Sequence, residues 1–237
     1  MAHAPCLNYP TANMPQGNFD KLVKIPVDSV AIEGVLAIPK RAQGVVLFAH
    51  GSGSSRHSPR NQYVARVLHA AGLGTLLMDL LTPTEDAYYE NRFDIGLLTQ
   101  RLEETTKWLL KQPNNTKTLH VGYFGASTGA AAALRAAADL GTDIKAVVSR
   151  GGRPDLAFSA LDRVLSPTLL IVGGHDDVVI ELNQKAFKRI RAEKDLILIP
   201  GATHLFEEPG ALEEAARLAC DWFKRYLQPE WPEAGLC

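Results

Sequence analysis

The sequence predicts a single α/β domain built on a doubly wound, mostly parallel sheet. From about residue 44 onward, short apolar runs alternate with helical patterns, which places helices on both faces of such a sheet. The runs are almost continuously apolar, as expected of strands that are buried on both faces. They cover residues 45–50, 75–79, 118–126, 145–151, 168–174 and 196–200. Upstream, residues 21–27 and 30–39 flank Asp28 and Ser29 and predict a leading antiparallel pair.

Four helical patterns separate or follow these strands, and most carry a start or stop signal. Ser58 and Pro59 supply the N-cap and the first-turn proline of the first helix. Pro113 ends the second, and Gly141 suits the position after the last residue of the third. The predicted helices cover residues 58–72, 94–112, 128–140 and 211–227, and a further helix is expected to begin near Asp177.

Length and composition agree with one globular domain. Of the 237 residues, 46% are hydrophobic and 22% are charged, which is the usage of ordinary proteins with a sizeable core. No internal repeat or linker divides the chain, so we predict a flexible N-terminal arm over residues 1–18 and one domain over residues 19–237.

Charge and cysteine usage narrow the possible partners and the compartment. A formal net charge of −1 with scattered basic residues gives no electrostatic reason to expect nucleic acid or a membrane surface. The cysteines Cys6, Cys220 and Cys237 have no metal-binding spacing and suggest reduced thiols in the cytoplasm. The N-terminal residues lack the apolar core of a signal peptide, and no run is long enough to span a bilayer. Neither a metal nor a cofactor is expected, and a monomer and a homodimer both remain open.

The junction between one strand and the helix after it contains a candidate nucleophile. In such a sheet ligands bind beyond the carboxyl ends of the strands, and Ser127 lies at such an end, between Gly125 and Gly129. Small residues at these two positions relieve the crowding of the strained turn that exposes a catalytic serine. The alternative is a plain turn with Ser127 as the N-cap of the helix. The sequence holds no GxGxxG motif and no phosphate-loop lysine.

A serine hydroxyl needs a general base, and the best candidate is His204. It follows the strand at residues 196–200 by a short loop and precedes the last helix, which places it over the same edge of the sheet. His57, which lies in a loop, stays an alternative. His50 is expected to brace the loop in which it lies.

The acid that orients the base should come from another strand end. Asp176 and Asp177 directly follow the strand at residues 168–174, and Asp155 is a third option. We predict that Asp176 turns back toward His204, whereas Asp177 lies at the N-terminus of the next helix, where its charge is favourable. The chain order serine, aspartate, histidine is the order that a sheet of this topology requires.

The anion formed on attack needs backbone donors. One should be the N–H of Thr128, directly after the nucleophile, and the other that of Ser52, in the loop after the strand at residues 45–50. Four elements thus reach four different strand ends in a consistent order, which favours the catalytic interpretation of the serine turn.

With these residues the chain resembles an α/β-hydrolase, and most of all the small, lidless branch that is similar to dienelactone hydrolases. The resemblance covers roughly residues 21–227 and is carried by FAHGSGSSRHSPRN, GASTGAAAAL, LLIVGGHDDVV and PGATHLFEEPG. It implies that Ser127 is the nucleophile, Asp176 the acid and His204 the base. Dienelactone hydrolases carry cysteine at the nucleophile position, so the serine favours simple carboxylic esters over dienelactone.

The resemblance also sets expectations about substrate and architecture. Only about 17 residues separate two strands at the place where many α/β-hydrolases insert a cap domain, so no cap is expected. Arg150 and Arg153 are possible contacts for a substrate carboxylate, with a solvated loop as the favoured alternative, and His57 is a third possible contact. Some relatives of this type are fused to a phosphoribosyltransferase, and we recognise no such segment in this sequence.

The function predicted is a serine carboxylesterase that hydrolyses short-chain esters, or lactones, through an acyl-enzyme. An acyltransferase or a perhydrolase would use the same triad, so the sequence does not separate these activities. From a different class, the fold could serve as a non-catalytic binding module, although that role usually accompanies loss of the nucleophile or the histidine. A metal hydrolase using His175, Asp176, Asp177 and His204 is the weakest alternative, because their spacing matches no known ligand set.

Overall fold

The structure, a computed structural model, describes residues 20–112 and 118–227. The predicted arm at residues 1–18, Cys6, Cys237 and Pro113 lie outside the described residues. The strands are β1 Asp20–Val27, β2 Val30–Ala37, β3 Gly44–Ala49, β4 Gly74–Met78, β5 His120–Ala126, β6 Ile144–Arg150, β7 Thr168–Gly173 and β8 Lys194–Ile199. The α-helices are α1 Pro59–Ala70, α2 Pro83–Asp86, α3 Ile95–Leu110, α4 Thr128–Leu140, α5 Asp177–Arg189 and α6 Ala211–Leu227. Short 3₁₀ segments cover Tyr89–Phe93, Gly141–Asp143 and Pro154–Arg163.

The eight strands form one sheet in the order β1-β2-β4-β3-β5-β6-β7-β8. The pairs β1–β2 and β2–β4 are antiparallel, and every pair from β4 to β8 is parallel. The predicted doubly wound sheet with a leading antiparallel pair is therefore confirmed. The carboxyl ends of β3 to β8 all meet at one edge, and the loops that follow them lie side by side there.

The core lies on both faces of the sheet because the central strands alternate large apolar side chains between the faces. On one face Leu47 and Tyr123 pack in a cluster with residues of α3 and α4. On the other, Phe48 and Phe124 pack with residues of α1 and α6, and their ring centroids are 5.0 Å apart. Each fully buried side chain of this size contributes roughly 1.5–3 kcal/mol to the stability of the sheet.

One strand differs from its predicted environment. The run at residues 196–200 suggests burial on both faces, but β8 is the last strand of the sheet, and Leu198 is 40% exposed. Because β8 pairs only with β7 and is covered incompletely, an apolar run here does not indicate full burial. The connection between β6 and β7 holds only the 3₁₀ segment, so no cap domain is inserted there.

Candidate active site

Ser127 lies between β5 and α4 in a strained backbone conformation, with φ 50° and ψ −121°. A non-glycine residue rarely adopts positive φ, and such strain is typical of functional turns. Ser127 is the N-cap residue of α4 and its carbonyl accepts from Ala130 N at 3.1 Å, but its side chain makes no capping hydrogen bond. The hydroxyl is therefore not used to cap the helix. The backbone is fixed from β6, because the Arg150 carbonyl accepts from Ser127 N at 3.4 Å and Arg153 N donates to the Ser127 carbonyl at 3.1 Å.

The two glycines on either side of Ser127 are required by close backbone packing. A Cβ at Gly125 would lie 2.4 Å from Ala130 Cα, where the helix turns back over its own strand. A Cβ at Gly129 would lie 2.1 Å from the carbonyl oxygen of Ala49, at the end of β3. Neither neighbour is a flexible side chain that could move aside. The glycine pattern read from the sequence therefore has a direct steric cause.

The structure brings Asp176 and His204 together. His204 Nδ1 lies 2.6 Å from Asp176 Oδ2, with the aspartate side chain 15% and the histidine side chain 40% exposed. Asp177 is the exposed first residue of α5, and Asp155 accepts hydrogen bonds from the Arg153 side chain. A carboxylate on Nδ1 fixes the tautomer in which Nε2 can accept a proton.

The loops that hold this pair are joined through their backbones. Gly174 N donates to the Ile199 carbonyl at 2.8 Å, and His175 N donates to the Ala202 carbonyl at 2.9 Å. A Cβ at Gly173 would lie only 2.5 Å from the Ala202 carbonyl oxygen, so glycine permits this approach. The loops after β7 and β8 thereby form one unit.

His204 also lies close to the strand that supports the nucleophile. A Cβ on Gly151, the residue after β6, would be 3.5 Å from His204 Cε1. In the part of the chain that the structure describes, the Ser127 hydroxyl and His204 Nε2 have no hydrogen-bond partner. Catalytic hydrogen bonds of this kind often shorten only when substrate is bound.

The two predicted oxyanion donors are differently placed. Ser52 N donates to the hydroxyl oxygen of Thr128 at 3.0 Å, so this N–H is engaged by a side chain. Thr128 is the first residue of α4, and among the described residues its own N–H has no acceptor. Its side chain is buried, with 3% exposure, which holds the hydroxyl against the loop after β3. The structure thus presents one open donor and one donor covered by a threonine hydroxyl.

His50 braces the loop that contains Ser52. Its Nε2 accepts a hydrogen bond from Leu80 N at 3.1 Å, and its Nδ1 lies 2.9 Å from the Gly51 carbonyl oxygen. Burial lowers the pKa of His50, which favours the neutral ring that these two contacts require. The end of β3 is thereby fastened to the end of β4.

Arg56 fastens the same loop a second time. Its backbone N–H donates to Asp79 Oδ1 at 2.8 Å, and its guanidinium pairs with both Asp79 and Glu33. The Arg56 and Asp79 side chains are 16% and 18% exposed, so these ion pairs are partly shielded from water. Asp79 therefore serves to hold the loop and not to orient a base.

A small pocket, partly open to solvent, lies beside Thr128 and the loop after β3. Its apolar wall comes from leucines of the β4–α3 region, and the Asp86–Arg92 ion pair also lines it. The lining residues are His50, Gly51, Ser52, Gly53, Leu80, Leu81, Asp86, Arg92, Leu98 and Thr128.

Several supporting residues were missed by sequence reasoning. Glu208 accepts from Thr203 N at 3.0 Å and from its hydroxyl at 2.6 Å, which closes the loop that carries His204. The buried Asn183 donates to the Gly152 carbonyl at 3.0 Å, beside the nucleophile turn. The leucines that line the pocket could not be recognised from the sequence either, because an apolar residue after a strand can belong to the core or to a pocket.

The three possible substrate contacts have different surroundings. Arg153 makes two hydrogen bonds of 2.8 Å to Asp155, and the side chain is 39% exposed. His57 is exposed on its loop, where its backbone N–H donates to the Ser55 hydroxyl. Arg150 is only 7% exposed, so the expected solvated loop is wrong for this residue. It is the last residue of β6, and its side chain packs beneath Phe206.

Across residues 20–112 and 118–227, no group of three or more histidine, cysteine, aspartate or glutamate side chains is arranged to hold a metal ion. The same ranges contain no helix whose length and apolar character would let it cross a membrane.

Comparisons with known proteins agree with the fold. The sequence profile of the dienelactone hydrolase family matches residues 32–229. A crystal structure of dienelactone hydrolase from Anabaena variabilis is 56% identical, with a TM-score of 0.86, over 88% of this chain and 98% of that chain. The lidless α/β serine hydrolase XC6422 from Xanthomonas campestris shares the fold, with 20% identity and a TM-score of 0.72 over 91% of this chain and 98% of that one.

Two curated relatives from Mycobacterium tuberculosis strains bear a different name, "Putative phosphoribosyl transferase". Each is 59% identical over 208 residues, which is 88% of this chain. The chain spans only 47% of the length of each of these relatives.

Proposed function

Because the chain belongs to the dienelactone hydrolase family and is an α/β-hydrolase, we propose that it is a serine carboxylesterase acting on short-chain esters through an acyl-enzyme. Ser127 is the proposed nucleophile, His204 the general base, and Asp176 the group that orients His204. The observation that carries the proposal is the backbone of Ser127, with φ 50° and ψ −121° and no capping hydrogen bond. Because the serine hydroxyl does not cap the helix, the strain needs another reason, and presenting the hydroxyl above the sheet supplies one.

The proposed reaction has two steps. In the first, Ser127 Oγ attacks the ester carbonyl while His204 Nε2 takes its proton, and Asp176 stabilises the imidazolium from Nδ1. The same proton then goes to the leaving alcohol, and the acyl group stays on Ser127. In the second step His204 activates water, which releases the acid and restores the serine hydroxyl.

The negative charge that develops on the carbonyl oxygen would be bound by Thr128 N–H and Ser52 N–H. Thr128 N–H is open in the structure, whereas Ser52 N–H donates to the Thr128 hydroxyl. A charged oxygen is a stronger acceptor than a neutral hydroxyl, so we infer that the reacting carbonyl displaces the hydroxyl only as charge develops. Such an exchange favours the transition state over the bound ester.

The cavity supports a short acyl group. The pocket is small, and only Leu80, Leu81 and Leu98 contribute large apolar side chains to its wall. The Asp86–Arg92 ion pair also lines the pocket, and a longer alkyl chain would be disfavoured because it would take water from these charges. An acyl chain of about two to six carbons gains roughly 0.8 kcal/mol for each buried methylene, whereas a longer chain would also desolvate the ion pair.

The name of the curated relatives has a separate explanation. The family profile covers residues 32–229, which is the part of the chain with hydrolase geometry. We infer that "phosphoribosyl transferase" describes the part of those relatives that this chain does not span, since the chain covers 47% of their length.

Replacement of Ser127 tests the nucleophile. We expect Ser127→Ala to lower ester hydrolysis by roughly 10⁴-fold or more while the protein keeps its melting temperature, because the members of a triad act as a unit. A serine-directed organophosphonate should add its mass at Ser127 alone, as measured by peptide mass spectrometry. Full activity in the variant, or a label on another residue, would end this assignment.

A series of 4-nitrophenyl esters tests the acyl-chain limit. We expect kcat/KM to rise from acetate to about hexanoate and then to fall, because a longer chain would desolvate the charged pair that lines the pocket. Rates that keep rising to a twelve-carbon acyl chain would contradict the proposed pocket. Adding methanol as an acceptor and measuring the ratio of methyl ester to free acid separates hydrolysis from acyl transfer.

A further inference from the structure

One buried side chain connects the helix that follows Asp176 to the loop that supports Ser127. Asn183 lies on α5 and is fully buried. Its Nδ2 donates to the Val179 carbonyl at 2.8 Å, within α5, and to the Gly152 carbonyl at 3.0 Å, in the loop after β6. The first hydrogen bond is local to the helix, whereas the second joins two residues that are 31 positions apart.

The Gly152 carbonyl belongs to the same peptide group as the Arg153 N–H. That N–H donates to the Ser127 carbonyl at 3.1 Å. Because a peptide group is planar and rigid, the position of its carbonyl oxygen fixes the direction of its N–H. A donor on the carbonyl also polarises the group and strengthens the hydrogen bond that the N–H makes. The Asn183 side chain therefore acts on the nucleophile turn through one rigid unit.

The loop after β6 is packed closely on the side of the nucleophile turn. A Cβ at Gly152 would lie 2.0 Å from Ser149 Oγ and 2.7 Å from Ala130 Cβ, so the backbone runs against β6 and α4. These contacts limit how closely the loop approaches the turn, but the direction of its peptide groups depends on hydrogen bonds. The strain at Ser127 persists only where the surroundings enforce it. The Asn183–Gly152 hydrogen bond contributes to this from the side of α5.

The chemistry of the site explains why the residue is an asparagine. Both neighbours of Nδ2 are carbonyl oxygens, so only a donor with two N–H groups can satisfy both. The Asn183 Oδ1 is buried and, among the described residues, has no hydrogen-bond partner. A threonine could satisfy the Val179 carbonyl within the helix without leaving a buried acceptor unpaired. Asparagine therefore suits the hydrogen bond to Gly152 and not the needs of the helix alone.

The same helix begins at the proposed acid. Asp176 is the N-cap residue of α5, and its carbonyl accepts from Ile180 N at 2.8 Å. The carboxylate of Asp176 lies 2.6 Å from His204 Nδ1. Asn183 lies roughly two turns further along α5 and ties this helix to the peptide that holds the nucleophile. A connection of this kind sets the position of Ser127 relative to the Asp176–His204 pair.

We propose that Asn183 is a positioning residue for the nucleophile. It holds the Gly152–Arg153 peptide so that Ser127 keeps its strained backbone and its position relative to His204. The inference rests on the proposed esterase function, since it assigns a residue to that reaction. Asn183 acts through the backbone and not on the substrate, so its loss should slow the reaction at Ser127 without weakening the binding of the ester.

Two variants of nearly equal shape separate the two hydrogen bonds of Asn183. In Asn183→Thr the hydroxyl can donate to the Val179 carbonyl, as threonine often does in helices, but it is too short to reach Gly152. Asn183→Val has neither bond. Both variants should lower kcat for 4-nitrophenyl butanoate by roughly tenfold to a hundredfold with KM changed by less than roughly threefold, because a small displacement of reacting groups acts mainly on the transition state. A wild-type kcat in Asn183→Thr would overturn the inference.

A matched control separates positioning from a general loss of stability. The buried Thr105 hydroxyl donates to the Arg101 carbonyl at 2.8 Å, within α3, and Thr105→Val removes this bond. This variant should lower the melting temperature and leave kcat unchanged. If Asn183→Val fails to fold, Asn183→Thr carries the test, because it keeps the hydrogen bond inside α5. An equal loss of kcat in Thr105→Val would show that activity follows stability and would overturn the inference.

Two further measurements identify the route of the effect. The acidic limb of the pH profile of kcat/KM should keep its midpoint in Asn183→Thr, since the Asp176–His204 pair is unchanged, and a shifted midpoint would overturn the route through Ser127. Modification of Ser127 by an organophosphonate should slow by a similar factor, roughly tenfold to a hundredfold. A wild-type protein with neither ester hydrolysis nor a label at Ser127 would overturn the esterase function. An active wild type beside a fully active Asn183→Thr would overturn the positioning role alone.

Discussion

The two sides of the candidate site are held in place by different kinds of contact. On the side of His204, the loops after β7 and β8 are joined by backbone hydrogen bonds from Gly174 and His175. On the side of Ser52, the loop after β3 is held mainly by side chains, through the His50 imidazole and the Arg56 guanidinium. The nucleophile lies between them on its own strained turn.

This difference matters because the two kinds of contact respond differently to change. Backbone hydrogen bonds do not titrate and survive most side-chain substitutions, so the side of His204 should be less sensitive to substitutions away from its reacting groups, Glu208 excepted. Ion pairs and imidazole contacts can be removed by one substitution or by a change of pH. On the side of Ser52, which carries an oxyanion donor, substitutions should therefore lower activity even at residues that do not contact the substrate.

The largest effect is expected on the acid–base side, at Asp176. Asp176→Asn should lower kcat by roughly 10²–10⁴-fold with little change in KM, because the imidazole loses the group that fixes its tautomer. Steady-state kinetics on a short-chain ester measures both parameters. The neighbouring Asp177→Asn is the matched control and should keep its activity, since an exposed carboxylate at a helix N-terminus contributes only roughly 0.3–1 kcal/mol of stability.

Two outcomes would show that the acid is assigned wrongly. One is an inactive Asp177→Asn protein beside an active Asp176→Asn protein. The other is activity in both variants together with its loss in Asp155→Asn, which would transfer the role to the carboxylate that pairs with Arg153.

A smaller effect is expected from the brace on the oxyanion side. Arg56→Met removes the ion pairs to Asp79 and Glu33 and should lower kcat by roughly tenfold to a hundredfold, because a displaced donor loop misplaces the oxyanion contact. The measurement is kcat together with the melting temperature. Arg217→Met removes exposed ion pairs on α6 and should change neither strongly. A lower Tm with an unchanged kcat would mean that Arg56 stabilises the fold but does not position the oxyanion donor. The proposed difference between the two sides of the site would then be wrong.

The smallest effect is the dependence of stability on pH through His50. Burial lowers the folded-state pKa of His50 below its ordinary value of 6.5, so the unfolded chain binds the proton more readily. The contribution of neutral His50 to the free energy of unfolding is therefore complete above about pH 6.5. It is lost as the pH falls, by at most about 1.4 kcal/mol per pH unit. Chemical denaturation from about pH 5 to about pH 8 measures how the free energy of unfolding depends on pH.

A matched pair of variants isolates the histidine. His50→Gln should flatten the slope, whereas His175→Gln, at an exposed histidine on the acid–base side, should leave it unchanged. An unchanged slope in His50→Gln would show that other groups cause the loss at low pH.

Much of the fold could be predicted because each strand is a short apolar run and each helix has a local signal. The strand at residues 144–150 and the helix at residues 128–140 follow directly from such patterns. The glycines around Ser127 were readable for the same reason, since their steric cause lies within the turn and its nearest neighbours.

The remaining features depend on contacts between distant segments. Engagement of Ser52 N–H by the Thr128 hydroxyl joins residues 76 positions apart and depends on one side-chain rotamer. The burial of Arg150 could have been predicted, because Ala146 and Val148 face the same side of β6 and both are buried. Arg150 lies within the predicted strand at residues 145–151, but the solvated-loop interpretation of its side chain did not use this parity.

The strain at Ser127 also makes the residue a reporter on how the chain folds. A positive φ at serine costs on the order of 1–3 kcal/mol and relaxes as soon as its surroundings no longer enforce it. Those surroundings come from β3, through Ala49, and from β6, through Arg150, so the turn can form only after these separate parts of the chain have assembled. Pulse labelling with an organophosphonate during refolding would thus follow the completion of the central sheet, independently of any signal from helix formation.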